Sequence, residues 1–309
     1  MNKYQNKIAI TTGDPNGIGA EITIKALNRL SLPDESLVLI SNKKVLDCYG
    51  KLKGNYEIIE IPYESDIRAG MVTKEAGEFS FRSLKKVCEI KPKAIVTAPV
   101  AKNALHLAGH IYNGQTEILQ HFLSHDGQLA EMLFIARDFR VLLLTRHCAL
   151  KCINLTKEAV IEKVLNLREF FINHLNIVNP KFALCGFNPN SGEDGILGRE
   201  EIEILQPAVN ILHTKGVDIT VPLPADTLFV AAGKAFFAGE GCPYDCYIAN
   251  YHDQGLIPIK TVAGDETVNM TIGLDILRTS PGHGTAFDIA GKNLASAEGM
   301  ISAIKAVLN

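Results

Sequence analysis

The feature that most restricts the fold of this chain is the alternation of short apolar runs with longer segments of helical spacing. Seven runs rich in β-branched residues occur as KIAITT, SLVLIS, YEIIEI, AIVTA, FRVLLLT, FALCG and YIANY. The plainest helical segment between them is TKEAVIEKVLNLREFFINHL, for which Thr156 is a candidate N-cap. Strands that alternate with helices in this way predict an α/β fold with a mostly parallel sheet covered by helices.

Length and charge narrow the class of protein. A chain of 309 residues that is 47% hydrophobic can bury one large core or two moderate ones, and we expect two lobes. It has no internal repeat, low-complexity tract or obvious linker. With 31 basic and 34 acidic side chains and no basic run, the chain lacks the charge pattern that binds nucleic acid.

The location of the protein is predicted from its apolar runs and its cysteines. The start, MNKYQNKIAITTGD, is typical of a first strand rather than a signal peptide, and no apolar stretch approaches the roughly 20 residues that span a bilayer. The seven cysteines are odd in number and scattered, which favours reduced thiols over a disulfide framework. We therefore expect a cytoplasmic protein without a membrane partner.

A glycine-rich turn follows the first apolar run. GDPNGIGAE places Gly13, Gly17 and Gly19 between a predicted strand and a predicted helix, where free backbone N–H groups suit an anion. The spacing G-x-x-x-G-x-G is neither the dinucleotide fingerprint nor a phosphate-binding loop of nucleotide hydrolases. A tight turn with a purely structural role is the alternative.

Two histidines follow apolar runs, at the end of a parallel strand where ligands bind in α/β sheets. His147 follows FRVLLLT, and His252 and Asp253 lie in YIANYHDQG. A lone histidine is more often solvated or hydrogen-bonded than a ligand. If His147, His252 and an oxygen donor from the loop at Asn190 converge, however, they form an open site for a divalent ion.

The last 50 residues hold the groups that suit an anionic ligand. Lys260, which follows a proline that we expect in a turn, Asn269 and Arg278 are spaced at intervals of nine. Each alone is typical of a solvated surface, but two cations and an amide together provide what a phosphate monoester needs. The stretch RTSPGHGTAFDIAG that begins at Arg278 is rich in small residues, which allow a ligand to approach the backbone closely.

Seven motifs in order over nearly the whole chain carry a family resemblance: GDPNGIGAE, TAPVAK, GQTE, NPNSGEDGILGREE, PLPADTLF, YHDQGLIPIK and RTSPGHGTAFDIAGK. The chain resembles the 4-hydroxythreonine-4-phosphate dehydrogenases of pyridoxal phosphate biosynthesis. The resemblance implies a two-lobed α/β/α sandwich of the isocitrate/isopropylmalate dehydrogenase type rather than a Rossmann fingerprint fold. We expect residues 1–127 and 258–309 to form a first lobe with the cofactor loop, residues 128–257 to form a second lobe with the metal residues, and the active site to lie in the cleft.

The same resemblance assigns residues to ligands. The implied contacts of NAD are His283, Gly284, Thr285, Ala286 and Asp288. The implied contacts of the phosphorylated substrate are Gln115, Thr116, Lys260, Asn269 and Arg278. The implied ligands of one divalent ion (Mg, Mn, Co or Zn) are His147, Asn190 and His252. Two positions depart from the family. Gln115 stands where the family usually has a histidine in G-H-T-E, and Asn190 stands where it has a histidine in N-P-H-A-G.

The implied reaction is the NAD-dependent oxidation of 4-phosphohydroxy-L-threonine at C3, followed by decarboxylation to 3-amino-2-oxopropyl phosphate. Lys260, Asp245 and Asp253 are alternative candidates for the general base, and Asp288 is expected to favour NAD over NADP. The alternatives are oxidation of 4-phospho-D-threonate or 4-phospho-D-erythronate, or a non-catalytic protein that binds NAD and a phosphometabolite. The family also implies a homodimer with the active site at the subunit interface.

Overall fold

The structure, a computed structural model, describes residues 2–124 and 130–308. The chain divides into two compact units, one of residues 1–130 and 268–309 and the other of residues 131–267. The first predicted boundary, between residues 127 and 128, lies outside the described residues. The second was expected between residues 257 and 258, but a helix runs through this point and belongs to the second unit, which ends at Thr267.

The strands of the described residues are short and mostly buried. In chain order they are β1 Ile8–Thr11, β2 Leu37–Ser41, β3 Glu57–Glu60, β4 Ala94–Thr97, β5 Glu131–Ala136, β6 Phe139–Leu143, β7 Lys181–Leu184, β8 Asp218–Ile219, β9 Cys246–Ala249, β10 Val268–Ile272 and β11 Leu277–Pro281. β1, β2 and β4 are buried at every position. Burial on both faces explains their continuous apolar sequence.

Ten α-helices lie in the described part of the chain. They are α1 Gly19–Leu30, α2 Lys43–Tyr49, α3 Lys74–Ile90, α4 Lys102–Leu107, α5 Gln115–Leu123, α6 Lys157–Leu175, α7 Gln206–Thr214, α8 Ala225–Ala238, α9 His252–Ala263 and α10 Glu298–Lys305. The predicted N-cap of α6 is confirmed, because the Thr156 hydroxyl accepts a hydrogen bond of 3.2 Å from the Ala159 amide.

The first unit has the strand order β3-β2-β1-β4-β11-β10. All of these strands are parallel to their neighbours except β10 and β11, which pair antiparallel. Alternate residues of β1 belong to different cores: Ile8 and Ile10 pack in one apolar cluster and Ala9 in another. Helices therefore cover both faces of this part of the sheet, as the sequence predicted.

The second unit has the strand order β5-β6-β9-β7-β8, in which only β5 and β6 pair antiparallel. Helix α9 packs closely on β6, because a Cβ at Gly255 would lie 2.6 Å from Cδ2 of Leu143. The expectation of a turn at the proline before Lys260 is wrong. Pro258 lies inside α9, and the helix continues to Ala263.

Four strands are not among the seven apolar runs of the sequence: β5, β8, β10 and β11. β10 and β11 read VNMTI and LRTSP, and their asparagine, arginine, threonines and serine hide the apolar pattern typical of a buried strand. β5 was missed as the partner of β6, with which it forms a hairpin. Within residues 2–124 and 130–308, no helix is long and apolar enough to cross a membrane. All seven cysteines are described, and all are free thiols.

A matched pair of glycine substitutions tests the packing of the helices. Gly77 lies in α3, and a Cβ there would overlap the carbonyl oxygen of Ala104 in α4, whereas a Cβ at Gly233 in α8 would make an ordinary contact of 3.6 Å with Val262. Alanine gains about 1 kcal/mol of helix propensity at either site, but overpacking costs about 1–3 kcal/mol or more. We expect Gly77→Ala to lower the melting temperature and Gly233→Ala to raise it slightly. Equal shifts in thermal unfolding would contradict this packing.

Candidate active site

Arg278 is a buried cation in the first unit. It is 2% exposed and lies on β11, where it faces Thr271 of the antiparallel β10. Its Nε and Nη2 donate hydrogen bonds of 3.0 and 2.7 Å to the hydroxyl of Thr97 on β4, and its Nη1 donates one of 3.1 Å to the hydroxyl of Thr271. The guanidinium is thus held by two neutral hydroxyl groups.

The charge of Arg278 has no counter-ion among the described residues. Burial lowers the pKa of Arg278 to about 10, and no carboxylate opposes this shift. Because a folded pKa of about 10 is still well above neutral pH, the side chain stays charged at pH 7. A buried charge without a partner is strongly destabilising, so this position is suited to an anionic ligand.

Two unpaired amide oxygens accompany Arg278. Asn269 lies on β10 two residues before Thr271, and side chains two apart share one face of a strand. The Gln115 Nε2 donates a hydrogen bond of 3.1 Å to the Ala98 carbonyl, immediately after β4. The Asn269 Oδ1 and the Gln115 Oε1 are both buried, and neither has a hydrogen-bond partner in the described part of the chain. Such groups are costly unless a ligand donates to them.

Two further residues, Thr116 and Lys260, were predicted to contact the substrate. Thr116 is half-buried and follows Gln115 in the first turn of α5. Lys260 is exposed on α9 and belongs to the second unit. The structure therefore brings together Gln115, Asn269 and Arg278 around the end of β4, whereas the participation of Lys260 stays a prediction.

The predicted cofactor loop packs against the glycine-rich turn of the first unit. The Ile18 amide, at the start of α1, donates a hydrogen bond of 3.1 Å to the Thr285 carbonyl, and a Cβ at Gly17 would lie 3.1 Å from this residue. A Cβ at Gly284 would meet nothing within 4 Å, so the loop has an open side. Ala286 has a φ of 42°, a left-handed conformation that L-residues adopt mainly under functional constraint.

The sequence left two roles open for the glycine-rich turn, ligand binding and a tight structural turn, and these roles apply to different glycines. A Cβ at Gly13, which has a φ of 70°, would overlap the Pro99 carbonyl, and one at Gly19 would overlap the Thr12 carbonyl. These two glycines are therefore structural. Gly17 instead allows the close approach of the loop at Thr285. The space beside Gly284 and the uncapped first turn of α1 fit a dinucleotide.

Asp14 in the same turn was not singled out in the sequence. Its Oδ1 accepts a hydrogen bond of 2.9 Å from the Asn16 amide, and its Oδ2 is buried without a partner among the described atoms. Burial raises the pKa of Asp14 to about 6. Asn16 in turn binds the next segment, since its Oδ1 accepts from the Arg68 amide at 2.8 Å. The polar side chains of GDPN thus hold two loops together.

The two predicted metal histidines lie together in the second unit. The ring centroids of His147 and His252 are 5.2 Å apart. Two imidazoles bound to one tetrahedral ion, with metal–nitrogen bonds of about 2 Å, have centroids about 5 Å apart. The His252 Nδ1 is 2.6 Å from the Asp253 Oδ1, which directs the Nε2 as the ligand atom. These residues therefore fit two ligands of a divalent ion.

Asn190 lies in an unusual left-handed turn. Residues 190–194 all have φ between 43° and 82°, although only Gly192 is a glycine. Each L-residue in this conformation costs about 1–2 kcal/mol. The Asn190 Nδ2 donates a hydrogen bond of 2.6 Å to the Glu193 Oε1. Asn190 is not among the residues that line the histidine pocket, so its role as the third ligand stays a prediction.

The left-handed turn is stabilised by the residues around it. Asn188 donates hydrogen bonds to both carboxylate oxygens of Glu201. Its backbone amide donates to the Oε1 at 2.7 Å and its Nδ2 donates to the Oε2 at 2.9 Å. Glu201 is buried. The described residues contain no group of three or more His, Cys, Asp and Glu that could hold a metal ion. A complete ligand set therefore needs a donor of another type, such as an amide, or a water.

The structure places two of the candidate bases, Asp253 and Asp245, at opposite ends of β9. Asp253 follows His252 at the start of α9 and is exposed. Asp245 precedes β9, so the four residues of this strand, which span about 13 Å, separate it from His252. The Asp245 Oδ2 accepts a hydrogen bond of 2.8 Å from the Lys181 amide. Its position at the amino end of the strand is wrong for a catalytic base beside His252.

A pocket of about 310 Å³ surrounds the two histidines. Its lining residues are Arg146, His147, Cys148, Ala149, Leu150, Tyr251, His252 and Asp253. The two segments are joined where β6 and β9 end, because the Thr145 hydroxyl donates a hydrogen bond of 2.7 Å to the Asn250 carbonyl. Arg146 was not predicted as a site residue. Its position directly after a buried strand was the signal that could have identified it.

These observations define an α/β protein with a mostly parallel sheet in each of its two units. A β-decarboxylating dehydrogenase from Thermococcus kodakarensis has the same fold, with a TM-score of 0.52 over 96% of this chain and 80% of that one at 16% identity. The sequence model of the family described as "Pyridoxal phosphate biosynthetic protein PdxA" matches residues 7–307. The chain belongs to this family.

Relatives in the family resemble the chain over nearly its whole length. A 4-hydroxythreonine-4-phosphate dehydrogenase from Sulfurihydrogenibium sp. is 37% identical over 97% of this chain and 96% of its own. A D-threonate 4-phosphate dehydrogenase from Salmonella typhimurium is also 37% identical, over 96% and 97%. The crystal structure of 4-hydroxythreonine-4-phosphate dehydrogenase from Klebsiella pneumoniae has a TM-score of 0.83 at 33% identity, over 98% of this chain and 99% of that one.

Metal binding by three variants tests the histidine pair and Asn190. We expect His252→Ala to lose a stoichiometric divalent ion, because it removes one of two paired imidazoles. If Asn190 supplies an oxygen ligand, Asn190→Ala weakens the binding of Mg²⁺ and Mn²⁺, and Asn190→His tightens the binding of Zn²⁺. Calorimetric titration of the dialysed protein with each ion gives the affinities. Unchanged affinity in Asn190→Ala would show that Asn190 serves the turn alone.

Proposed function

We propose that the protein oxidises 4-phosphohydroxy-L-threonine at C3 with NAD, and that the product loses carbon dioxide to give 3-amino-2-oxopropyl phosphate for pyridoxal phosphate biosynthesis. The observation that carries the proposal is Arg278, a buried cation without a counter-ion in the described residues. The substrate phosphate supplies the missing charge. The names of the relatives from Sulfurihydrogenibium and Klebsiella support the same activity.

The proposed phosphate site is formed by groups that can donate hydrogen bonds to the phosphate. Arg278 donates from its guanidinium, and Lys260 and Thr116 are proposed as further donors. The Asn269 amide group can donate through its Nδ2. A hydrogen bond from a charged donor contributes about 1.5–3 kcal/mol, so the phosphate is the main source of substrate affinity.

The proposed NAD site lies along the loop His283–Asp288. Gly284 leaves room for the adenosine at the open side of the loop, and the Thr285 carbonyl holds the loop to the start of α1. The exposed carboxylate of Asp288 accepts a hydrogen bond from a ribose hydroxyl and repels a 2′-phosphate, which favours NAD over NADP.

The histidine pocket is the proposed place of the chemistry. NAD would supply the hydride acceptor for the oxidation, and a divalent ion held by His147 and His252 would supply positive charge. Asp253 orients the ring of His252 through their hydrogen bond. The proton of the C3 hydroxyl passes to Asp253 or Lys260, the two remaining candidates for the base. The ketone at C3 then allows the bond between C1 and C2 to break.

A second candidate substrate is 4-phospho-D-threonate, which has a hydroxyl in place of the amino group. Gln115 supports this candidate. Its Nε2 donates a hydrogen bond to the Ala98 carbonyl, so its Oε1 remains as a hydrogen-bond acceptor for the substrate. A neutral acceptor suits a hydroxyl as well as an ammonium group. The relative from Salmonella typhimurium, a D-threonate 4-phosphate dehydrogenase, is as similar to the chain as the hydroxythreonine enzyme.

We propose a cytoplasmic homodimer as the working form. The seven free thiols support a reducing compartment. Exposed apolar side chains at Ile196, Leu197 and Ile202 support a protein contact in the second unit.

The decisive experiment is an assay of NADH formation with four phosphorylated acids and with Mg²⁺, Mn²⁺, Co²⁺ or Zn²⁺ added in turn. The acids are 4-phosphohydroxy-L-threonine, 4-phospho-D-threonate, 4-phospho-D-erythronate and, as a control without a C3 hydroxyl, 4-phospho-3-deoxy-D-threonate. We expect the first to have the highest kcat/KM and the control to be inert. A preference for the second identifies the threonate enzyme. Saturable NAD binding without turnover of any acid would indicate the non-catalytic alternative.

A crossed pair of variants separates the phosphate and cofactor sites. We expect Arg278→Met to raise the KM for the phosphorylated acid by at least about tenfold, which corresponds to one lost charged hydrogen bond, with little change in the dissociation constant of NAD. Asp288→Asn should weaken the binding of NAD and leave the KM for the phosphorylated acid nearly unchanged. Steady-state kinetics and fluorescence titration with NADH measure both quantities. Variants that impair both ligands equally would show that the two sites are assigned wrongly.

A further inference from the structure

The pocket at His147 and His252 contains a cation that the proposed reaction has not used. Arg146 lines this pocket of about 310 Å³ together with the two histidines. It follows β6 by three residues, and His252 follows β9 by three residues. β6 and β9 are parallel neighbours, so both side chains start from the same edge of the sheet, where ligands bind in folds of this class.

The guanidinium of Arg146 has no partner within the part of the chain that the structure describes. The side chain is half-buried. Three other arginines of the same unit form ion pairs: Arg137 with Glu266, Arg140 with Asp138 and Arg199 with Glu203. Arginine carries five N–H donors in a fixed plane. A half-buried arginine with unused donors beside a pocket is therefore available to a ligand.

The one buried carboxylate near Arg146 does not neutralise it. Glu131 is 1% exposed, and its Oε1 forms an ion pair of 2.5 Å with the Lys163 ammonium group. Its Oε2 is buried without a hydrogen-bond partner among the described atoms. Arg146 acts on Glu131 only through space. Because Glu131 and Lys163 balance each other, the charge of Arg146 remains available to the pocket.

Other groups around the pocket also favour an anion. Helix α9 begins at His252, and no side chain caps its first turn, so its N–H groups add partial positive charge on this side. Asp253 is the one acidic residue of the lining. Its Oδ1 lies 2.6 Å from the His252 Nδ1, and the carboxylate is mostly exposed. The helix end thus adds partial positive charge to that of Arg146, against a single carboxylate that is mostly exposed to solvent.

From these observations we infer that Arg146 binds the carboxylate of the hydroxy-acid substrate in the pocket beside His147 and His252. The identity of the acid depends on the proposed function, but the recognition of a carboxylate depends only on the pocket. A carboxylate matches the fork of donors on a guanidinium in a bidentate pair. This contact orients the acid end of the substrate.

The test measures binding with a probe that has no phosphate. D-erythronate and its neutral amide differ in the carboxylate alone, and each is titrated calorimetrically into the full-length protein without NAD, so that no turnover occurs. Wild type should bind the acid at least about tenfold more tightly than the amide, as expected for one charged bidentate contact. Arg146→Met should lose this preference, and Arg146→Lys should keep part of it, because lysine retains the charge without the fork.

Two controls make the result specific. Arg199→Met removes the same charge from an exposed residue of the same unit that is paired with Glu203, and it should keep the preference of wild type. All titrations are repeated after treatment with EDTA, because a bound ion also attracts a hydroxy acid. Melting temperatures within a few degrees of wild type establish that the variants are folded, and Arg146→Lys provides the measurement if Arg146→Met is not.

Three outcomes would overturn the inference. The first is an equal affinity of wild type for the acid and the amide. The second is a preference that survives in Arg146→Met, or that EDTA abolishes in wild type, since the ion rather than Arg146 would then recognise the acid. The third is the loss of inorganic phosphate binding in Arg146→Met with D-erythronate unaffected. A protein that turns over none of the phosphorylated acids would refute the proposed function, yet the preference for the acid could still be measured.

Discussion

One buried guanidinium, which donates hydrogen bonds to two hydroxyl groups, holds three neighbouring strands of the first unit together. Arg278 on β11 donates to Thr97 on β4 and to Thr271 on β10, so it links its strand to both neighbours. The hydroxyls satisfy the donors only in part and leave the charge uncompensated. The fold thus accepts a locally unfavourable arrangement, and such positions are typical of sites where function rather than stability determines the residue.

The regular parts of the fold could be predicted because their physical cause is local. β1, β2 and β4 are buried on both faces, so their sequences are continuously apolar. β10 and β11 are not continuously apolar, because asparagine, arginine, threonine and serine occupy positions along them. The left-handed turn at residues 190–194 depends on Glu201, which holds Asn188 from a distance in sequence. Asn190, Gly192 and Asp194 are residue types that tolerate a left-handed conformation, but the local sequence does not indicate the contact with Glu201.

The candidate site was predictable to the extent that strand direction determines it. His147 and His252 both follow strands that proved to be parallel neighbours, and they lie together as expected. Asp245 is near His252 in sequence, but Asp245 precedes β9 and His252 follows it, so the two lie at opposite ends of this strand. The position of Arg146 after a buried strand marks it as a candidate, but only the structure shows that it lines a pocket with the two histidines.

Gln115 has a consequence for the pH range in which the site works. A histidine at this position, as is usual in the family, would change its charge and its hydrogen-bonding character between about pH 5 and 8. The amide of Gln115 does not titrate, and its bond to the Ala98 carbonyl fixes which end faces the ligand. If Gln115 contacts the substrate as proposed, this contact is insensitive to acidification of the surroundings, and a loss of substrate affinity at low pH arises from the phosphate of the ligand or from other residues.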